Sequence, residues 1–296
     1  MKSIALIVNG KAYLPEVQAY KEYFSKKYEV KIVNSQDNLS KFDILWYFMG
    51  TQGKRYRDTQ FLIHEYASLS TPPFSKVKNF IKKRFTEKPD LRIFLNKKVK
   101  LEMRFDDSIP STERDMGVSP LFVSSHQRGV EPYKWDFIYV GAMDKSRKLH
   151  VAIDKIIEYK PDARIVLVGD APSYLIKRYR NYHIDFTGKI PYTEVPDILK
   201  KAKIAINYIP DIYPYNIQTS TKLLEYLASK CLVLTNKYSW VEEYCNERSL
   251  SILFFEEIDK AFEENYFSLN ELDENQKSVK LWNEVIYDSN IEEYLP

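Results

Sequence analysis

Glycine is scarce in this sequence, with eight glycines among 296 residues. The turn after the first predicted strand contains a single one, Gly10, whereas a dinucleotide-binding turn carries the pattern G-x-G-x-x-G. The sequence therefore excludes that fingerprint at this turn. Gly10 would let a ligand approach the backbone closely, and we keep it as a candidate contact beside the simpler interpretation of an ordinary turn glycine.

Cysteine is nearly absent as well. The two cysteines, Cys231 and Cys245, lack the spacing of a metal site. Cys231 lies in an apolar run, which predicts a buried thiol. Because nothing in the cysteine pattern indicates an oxidising compartment, we expect a cytoplasmic protein.

Long hydrophobic runs are also missing. No apolar run approaches the roughly 20 residues that span a membrane. The N-terminal segment 1–10 has the length and β-branching of a first strand, and we therefore do not expect a signal peptide. With 44% hydrophobic and 29% charged residues, the chain is globular in composition and long enough for two domains.

The net charge is only +3, but it is unevenly distributed. Residues 1–132 hold 23 Lys/Arg and 15 Asp/Glu, whereas residues 133–296 hold 21 and 26. The basic half therefore suggests an anionic partner for that half alone.

Segment 74–88 concentrates this positive charge on a predicted amphipathic helix. One helical face is apolar, and the rest is crowded with basic residues. Such a helix can lie on an anionic membrane surface. The candidate contacts with a membrane or an acceptor are Lys76, Lys82, Lys83 and Arg84. The alternative is a surface helix with solvated lysines, and no motif supports a nucleic-acid partner.

The rest of the sequence is organised around segment 204–236, which alternates between strand and helix patterns. An apolar run, a polar loop, a helical pattern and a second apolar run follow one another, as in a parallel βαβ unit. Ser220 and Thr221 precede the helical pattern, so their hydroxyls and the free N–H groups predict an anion site. Glu225, one turn further, is suited to sugar hydroxyls. Together these features predict a bound nucleotide.

The helix start resembles a known family. The letters T-K-L-L-E-Y-L-A, beginning at Thr221 and including Lys222, look like the donor-binding segment of GT-B glycosyltransferases. The resemblance is to the large retaining family that usually carries two glutamates separated by seven residues. Glu225 matches the second glutamate, which holds the ribose hydroxyls in that family. Ile217 stands in the place of the first glutamate. The contact that this glutamate makes to the donor sugar is therefore expected to be made by backbone groups of 216–219.

The same resemblance implies two further donor contacts. In the family, the turn after the first strand of the second domain carries an Arg directly after a Gly, and a Lys several residues later. Lys148 matches that Lys, whereas Ala142 replaces the Arg, so either Arg147 or Lys145 is expected to supply the missing charge. The loop that receives the nucleotide base corresponds to Gly188, Lys189 and Ile190.

A possible catalytic pair lies in the first domain. His64 and Glu65 follow a short apolar run and are expected at a strand end facing a cleft. Family members often place a His near this position, against the donor sugar, where it can stabilise developing charge. Glu65 would serve as general base in an inverting reaction. A loop histidine without a role is the alternative.

The sequence thus predicts an α/β protein of the GT-B class, with two Rossmann-like domains and a central cleft. We expect residues 1–132 to form the acceptor side, 133–275 to bind a nucleotide sugar, and 276–296 to form a helical segment that could cross back. The resemblance implies a retaining hexosyltransferase that uses a UDP- or GDP-sugar, with UDP favoured.

The expected acceptor is a glycan or a lipid-linked molecule in surface polysaccharide synthesis, at the cytoplasmic face of the membrane. No D-x-D motif follows a predicted strand, so we expect no metal and no other cofactor. Two alternatives stay open, namely a non-catalytic nucleotide-sugar-binding protein and a membrane-surface adaptor.

Overall fold

The computed structural model describes residues 1–9, 14–48, 53–70, 74–123, 132–263 and 268–296. Within these ranges the strands are, in chain order, β1 (Ser3–Ile7), β2 (Glu29–Val33), β3 (Ile44–Phe48), β4 (Phe61–Tyr66), β5 (Leu91–Phe94), β6 (Ser111–Glu113), β7 (Trp135–Val140), β8 (Ile165–Val168), β9 (Ile184–Gly188), β10 (Ala202–Asn207), β11 (Leu232–Thr235) and β12 (Leu253–Phe254).

Helices alternate with these strands along most of the described chain. They are α1 (Pro15–Phe24), α2 (Ser75–Arg84), α3 (Lys97–Met103), α4 (Leu149–Tyr159), α5 (Ser173–Arg178), α6 (Val195–Leu199), α7 (Thr221–Ala228), α8 (Ser239–Arg248), α9 (Leu269–Lys277) and α10 (Trp282–Asp288). Short 3-10 turns lie between them, including one at Pro120–Phe122 and one at Tyr192–Glu194.

The chain divides into two compact units. The first unit comprises Met1–Gly117, Ile217–Thr219 and Leu281–Pro296, and the second comprises Val118–Asn216 and Ser220–Lys280. The sequence placed the domain boundary at residues 132/133. Residues 124–131, just before this boundary, lie outside the described residues, as does Gly10.

Each unit contains one parallel six-stranded sheet. The strand order is β2-β1-β3-β4-β5-β6 in the first unit and β12-β11-β10-β7-β8-β9 in the second. Strands with a neighbour on both sides, such as β3 and β8, are buried along their whole length. Continuous apolar runs of this kind are typical of parallel sheets covered on both faces. The two Rossmann-like units predicted from the sequence are therefore present.

The C-terminal helix α10 packs on the sheet of the first unit. Three of its residues are buried, namely Trp282, Val285 and Ile286. Trp282 and Ile286 belong to the apolar cluster that contains the buried Trp46 of β3. A Cβ at Gly117 would lie 2.7 Å from the Cα of Trp282. Only glycine therefore permits this close approach of the chain to α10.

A buried ion pair joins β4 to the segment after β6. The side chains of Glu65 and Arg114 are both 0% exposed and form a salt bridge. The indole of Trp46 donates a hydrogen bond of 2.8 Å to the second carboxylate oxygen of Glu65. Arg114 Nε donates to the Tyr20 hydroxyl at 2.8 Å, and its guanidinium lies 5.3 Å from the ring centroid of Trp282.

This network corrects the role predicted for Glu65. Both carboxylate oxygens already accept hydrogen bonds, and the side chain has no solvent access. A general base needs a free oxygen within reach of a substrate proton. Glu65 is instead the buried partner that allows Arg114 to remain charged inside the first unit.

We predict that Arg114→Met lowers the free energy of unfolding by about 3–5 kcal/mol, because Glu65 is left buried without its counter-charge. Urea denaturation measures this change. Arg178→Met is the matched control, since it removes a solvent-exposed pair with Asp154 and should have little effect. Equal stability of the two variants would contradict a structural role for the buried pair.

Candidate functional site

The start of helix α7 is fixed by hydrogen bonds to the carboxyl ends of two neighbouring strands. Ser220 Oγ accepts from the Leu223 amide at 3.3 Å, so it caps the helix as predicted. The same hydroxyl donates to Asn207 Oδ1, at the end of β10, at 2.8 Å. Asn207 Nδ2 in turn donates to Thr235 Oγ1 and to the Tyr238 hydroxyl.

These contacts correct one part of the prediction. The Ser220 side chain is buried and already engaged with Leu223 and Asn207, so its hydroxyl is not available to a phosphate. Its function is to hold the N-terminus of α7 at this edge of the sheet. Thr221, the first residue of α7, is half-buried, and its backbone amide is among those a capped helix start leaves without an intrahelical partner.

Glu225 lies one turn into α7 and faces the interior of the second unit. It is 8% exposed, so it is not a solvated glutamate on the helix surface. Its Oε1 accepts a hydrogen bond of 2.7 Å from the Tyr192 hydroxyl. Burial raises the pKa of Glu225 to about 7, against the Tyr192 hydrogen bond and the charge of Lys222, which lower it.

Lys222 brings a positive charge to the turn after β7. A Cβ at Gly141 would lie 3.4 Å from the Lys222 Cδ and 3.8 Å from its Nζ. The Nζ also lies 5.2 Å from the ring centroid of Tyr139. Burial lowers the pKa of Lys222 to about 8, with Arg147 adding to this effect and Glu225 opposing it.

The turn itself requires Gly141, whose φ of +136° is strained for other residues. Arg147 lies close enough for its charge to lower the pKa of Lys222, and its guanidinium is 5.0 Å from the ring centroid of Tyr215. Lys148, the predicted diphosphate contact, is exposed, with φ of 51°. Lys222 therefore interacts electrostatically with both Arg147 and Glu225.

The predicted base-binding turn follows β9. Gly188 ends that strand with φ of +70°, and Ile190 is half-buried. Lys189 is exposed and forms a 2.5 Å ion pair with Asp170. Tyr192 comes two residues after Ile190 and reaches Glu225, so this turn and α7 are joined by a hydrogen bond. Sequence reasoning missed Tyr192, because nothing local signals its partner.

Residues 217–219 contribute to the first unit. The Ile217 carbonyl and the Thr219 hydroxyl each lie 3.5 Å from Asn96 Nδ2. The Thr219 hydroxyl also donates to Asp115 at 2.6 Å. The backbone that was expected to replace the first family glutamate is thus held by side chains of the first unit.

His64 does not have the predicted position at a strand end. It lies inside β4 opposite Tyr47 and is 0% exposed. Glu65 follows it directly in the strand, so the two side chains point to opposite faces of the sheet. Burial lowers the pKa of His64 to about 4, and Arg92 adds to this effect, so the imidazole is neutral. The structure therefore does not form the predicted catalytic pair.

The described residues contain neither a metal-binding cluster nor a membrane-spanning helix. No group of three or more His, Cys, Asp or Glu side chains in these ranges is arranged to hold a metal ion. No helix in the described part of the chain is long and apolar enough to cross a membrane.

Comparisons with known proteins identify the fold class. Residues 134–266, most of the second unit, match the family model "Glycosyl transferases group 1". No curated protein sequence matches the chain significantly.

Several solved structures share the fold over nearly the whole chain. HepE of Anabaena, in complex with UDP and glucose, is 12% identical with a TM-score of 0.71, covering 97% of this chain and 98% of HepE. AviGT4, a glycosyltransferase involved in avilamycin A biosynthesis, is 12% identical with a TM-score of 0.67, covering 99% and 97%. Sucrose-phosphate synthase of Thermosynechococcus elongatus is 12% identical with a TM-score of 0.63, covering 93% and 75%.

At these identities the structures show the fold alone. It is the GT-B fold that the sequence predicted, and within it the match to the glycosyltransferase group 1 family model is confined to residues 134–266.

Proposed function

We propose that this protein is a glycosyltransferase that moves a hexosyl group from a nucleoside diphosphate sugar to a glycan or lipid-linked acceptor. The observation that carries the proposal is the placement of Lys222 and Glu225 one turn apart at the start of α7, inside the domain that matches the glycosyltransferase family. UDP is the favoured nucleotide, since HepE, a structural neighbour, is known in complex with UDP and with UDP-glucose.

The chemistry follows from the charges in the site. Lys222, Arg147 and the free amides at the start of α7 would neutralise the diphosphate, whose negative charge grows as the sugar departs. Glu225 would accept hydrogen bonds from the ribose hydroxyls, for which a carboxylate is well suited. Because protein cations supply this neutralisation, we propose that transfer needs no divalent metal.

We further propose that transfer retains the anomeric configuration. An inverting reaction needs a carboxylate or histidine to deprotonate the acceptor. Glu65, which the sequence offered for this step, is engaged by Arg114 and Trp46.

The non-catalytic alternative makes a different prediction, since a nucleotide-sugar-binding protein would bind the donor without turning it over in the presence of any acceptor.

We predict that Glu225→Ala weakens UDP binding at least tenfold, because the ribose loses a charged hydrogen-bond acceptor. A thermal-shift screen of UDP, GDP and their sugar conjugates, followed by calorimetry, measures this loss. Binding by the wild-type protein should be unchanged by EDTA.

The matched control is Glu158→Ala, which removes an exposed helix glutamate from the same unit and should leave nucleotide affinity intact. The donor-site proposal fails if wild-type protein binds none of these nucleotides, or if Glu225→Ala binds as tightly as wild type.

A membrane surface is proposed as the second partner, through helix α2. The only residue that α2 buries is the polar Asn79, which accepts a hydrogen bond of 3.0 Å from the Ser70 amide. The large apolar side chains of α2 and its flanks are each at least 50% exposed: Phe74, Val77, Phe80, Ile81 and Phe85. An ordinary surface helix has the reverse arrangement, with its apolar face inward.

Cations border this apolar face. Lys76 and Arg84 are exposed, whereas Lys82 is half-buried. Lys83 is engaged by the Arg104 carbonyl and lies 3.6 Å from Asp106, so it is the least suited of the four predicted contacts. Apolar side chains flanked by basic ones complement an anionic lipid surface. We therefore propose peripheral attachment at the cytoplasmic face of the membrane.

We predict that replacing both Phe80 and Phe85 with Ser reduces binding to vesicles of mixed phosphatidylglycerol and phosphatidylcholine by at least tenfold, because the inserted apolar area is lost. Co-sedimentation measures the bound fraction. Leu269→Ser removes one exposed apolar side chain of the second unit and is the control. Wild-type protein that stays in solution with these vesicles would refute the membrane role.

A further inference from the structure

Tyr192 is held in place by contacts on two sides. Its ring centroid lies 5.3 Å from that of Phe122, a fully buried residue of the second unit. Its hydroxyl donates the 2.7 Å hydrogen bond to Glu225 Oε1. Tyr192 also begins the 3-10 turn directly after Pro191, close to the predicted base-binding turn. One side chain thus connects that turn to the carboxylate on α7.

We propose that Tyr192 is a positioning residue for Glu225. Its hydroxyl occupies Oε1 and fixes the carboxylate rotamer, so that Oε2 is presented to the vicinal hydroxyls of the donor ribose. This inference rests on the proposed donor site and assigns to it a residue outside the α7 motif. Tyr192 acts through Glu225 and needs no contact with the ligand.

A hydrogen bond to one oxygen has two consequences for a buried carboxylate. It removes rotational freedom that binding would otherwise have to restrict, so affinity increases. It also favours the ionised form, which is the form that accepts hydrogen bonds from a diol. Loss of the hydroxyl should therefore weaken binding and also raise the pH at which the site becomes competent.

The other titratable groups near α7 are unchanged in a Tyr192 variant, so a shift of the pH midpoint is assigned to the lost hydroxyl. Lys222, on the same helix, is the other group that shifts the pKa of Glu225, and it is unchanged in a Tyr192 variant. Tyr139 faces α7 from β7, and Tyr226 lies on α7 itself with its hydroxyl bonded to the Val140 amide. From α9, Asp273 pairs with Lys230, beyond the other end of α7.

The experiment compares wild type with Tyr192→Phe, which keeps the ring against Phe122 and removes only the hydroxyl. The probe is UDP-glucose or GDP-glucose, whichever the wild-type protein binds, because a sugar nucleotide keeps its diphosphate charge across neutral pH. We expect Tyr192→Phe to bind about tenfold more weakly at neutral pH. The pH midpoint at which affinity rises should also move upward.

Two further variants separate positioning from a general structural effect. Tyr179→Phe removes another tyrosine hydroxyl that donates to a carboxylate, Asp154, in the same unit, and it should change neither affinity nor midpoint. In a Glu225→Ala background, Tyr192→Phe should have no additional effect.

The outcomes separate the two proposals. A wild-type protein that binds neither sugar nucleotide overturns the donor site, and the role of Tyr192 with it. Binding by wild type with an unshifted midpoint in Tyr192→Phe overturns only the positioning role. An equal loss of affinity in the Glu225→Ala background does the same, since Tyr192 would then act independently of the carboxylate.

Discussion

The hydrogen bond between Ser220 and Asn207 is the interaction on which the candidate site depends. It ties the first turn of α7 to the end of β10, and Asn207 passes the constraint to Thr235 at the end of β11. A buried network that is fully satisfied specifies one geometry, because any displacement leaves polar groups without partners. The positions of Lys222 and Glu225 follow from it, since both project from the helix whose start is fixed.

Two buried carboxylates illustrate how environment decides the function of a side chain. The buried Glu65 carboxylate forms an ion pair with the Arg114 guanidinium and accepts a hydrogen bond from the Trp46 indole, so its charge is compensated inside the first unit. Glu225 is almost as buried, but its direct hydrogen bond comes from a neutral tyrosine, and its pKa is raised to about 7. Burying a carboxylate without a close counter-ion costs folding free energy. A carboxylate with a pKa perturbed in this way is typical of a functional site.

Much of the fold was predictable because both units follow the period-2 and period-3.6 patterns of buried strands and amphipathic helices. The Ser220 cap and Glu225 were found for the same reason, since a helix start and the residue one turn later are local features. Strand β4 shows the limit. It continues through His64 and Glu65 to Tyr66, because residues distant in the chain cover both faces of the sheet, and local sequence does not show this.

The missed residues share one property, which is that their partners are far away in sequence. Arg114 contacts Glu65, which lies 49 positions away in the sequence, and Tyr192 contacts Glu225, which lies 33 positions away. Lys148 and Lys222 were both candidate donor contacts, Lys148 because it stands in the turn after β7 and Lys222 because it belongs to the α7 motif. The side chain that reaches Gly141 comes instead from a helix about 80 residues later in the chain. Tertiary contacts of this kind leave no trace in periodicity or spacing.

The affinity for UDP-glucose as a function of pH, measured by calorimetry in EDTA, tests the central claim most directly. Glu225 must be ionised to accept the ribose hydroxyls, so affinity should rise as the pH passes about 7. Lys222 must be protonated to neutralise the diphosphate, so affinity should fall again above about pH 8. Glu225→Gln should remove the lower limb, and Lys222→Met the upper one. Affinity that is independent of pH over this range, or that disappears in EDTA, would contradict a donor site built on these two residues.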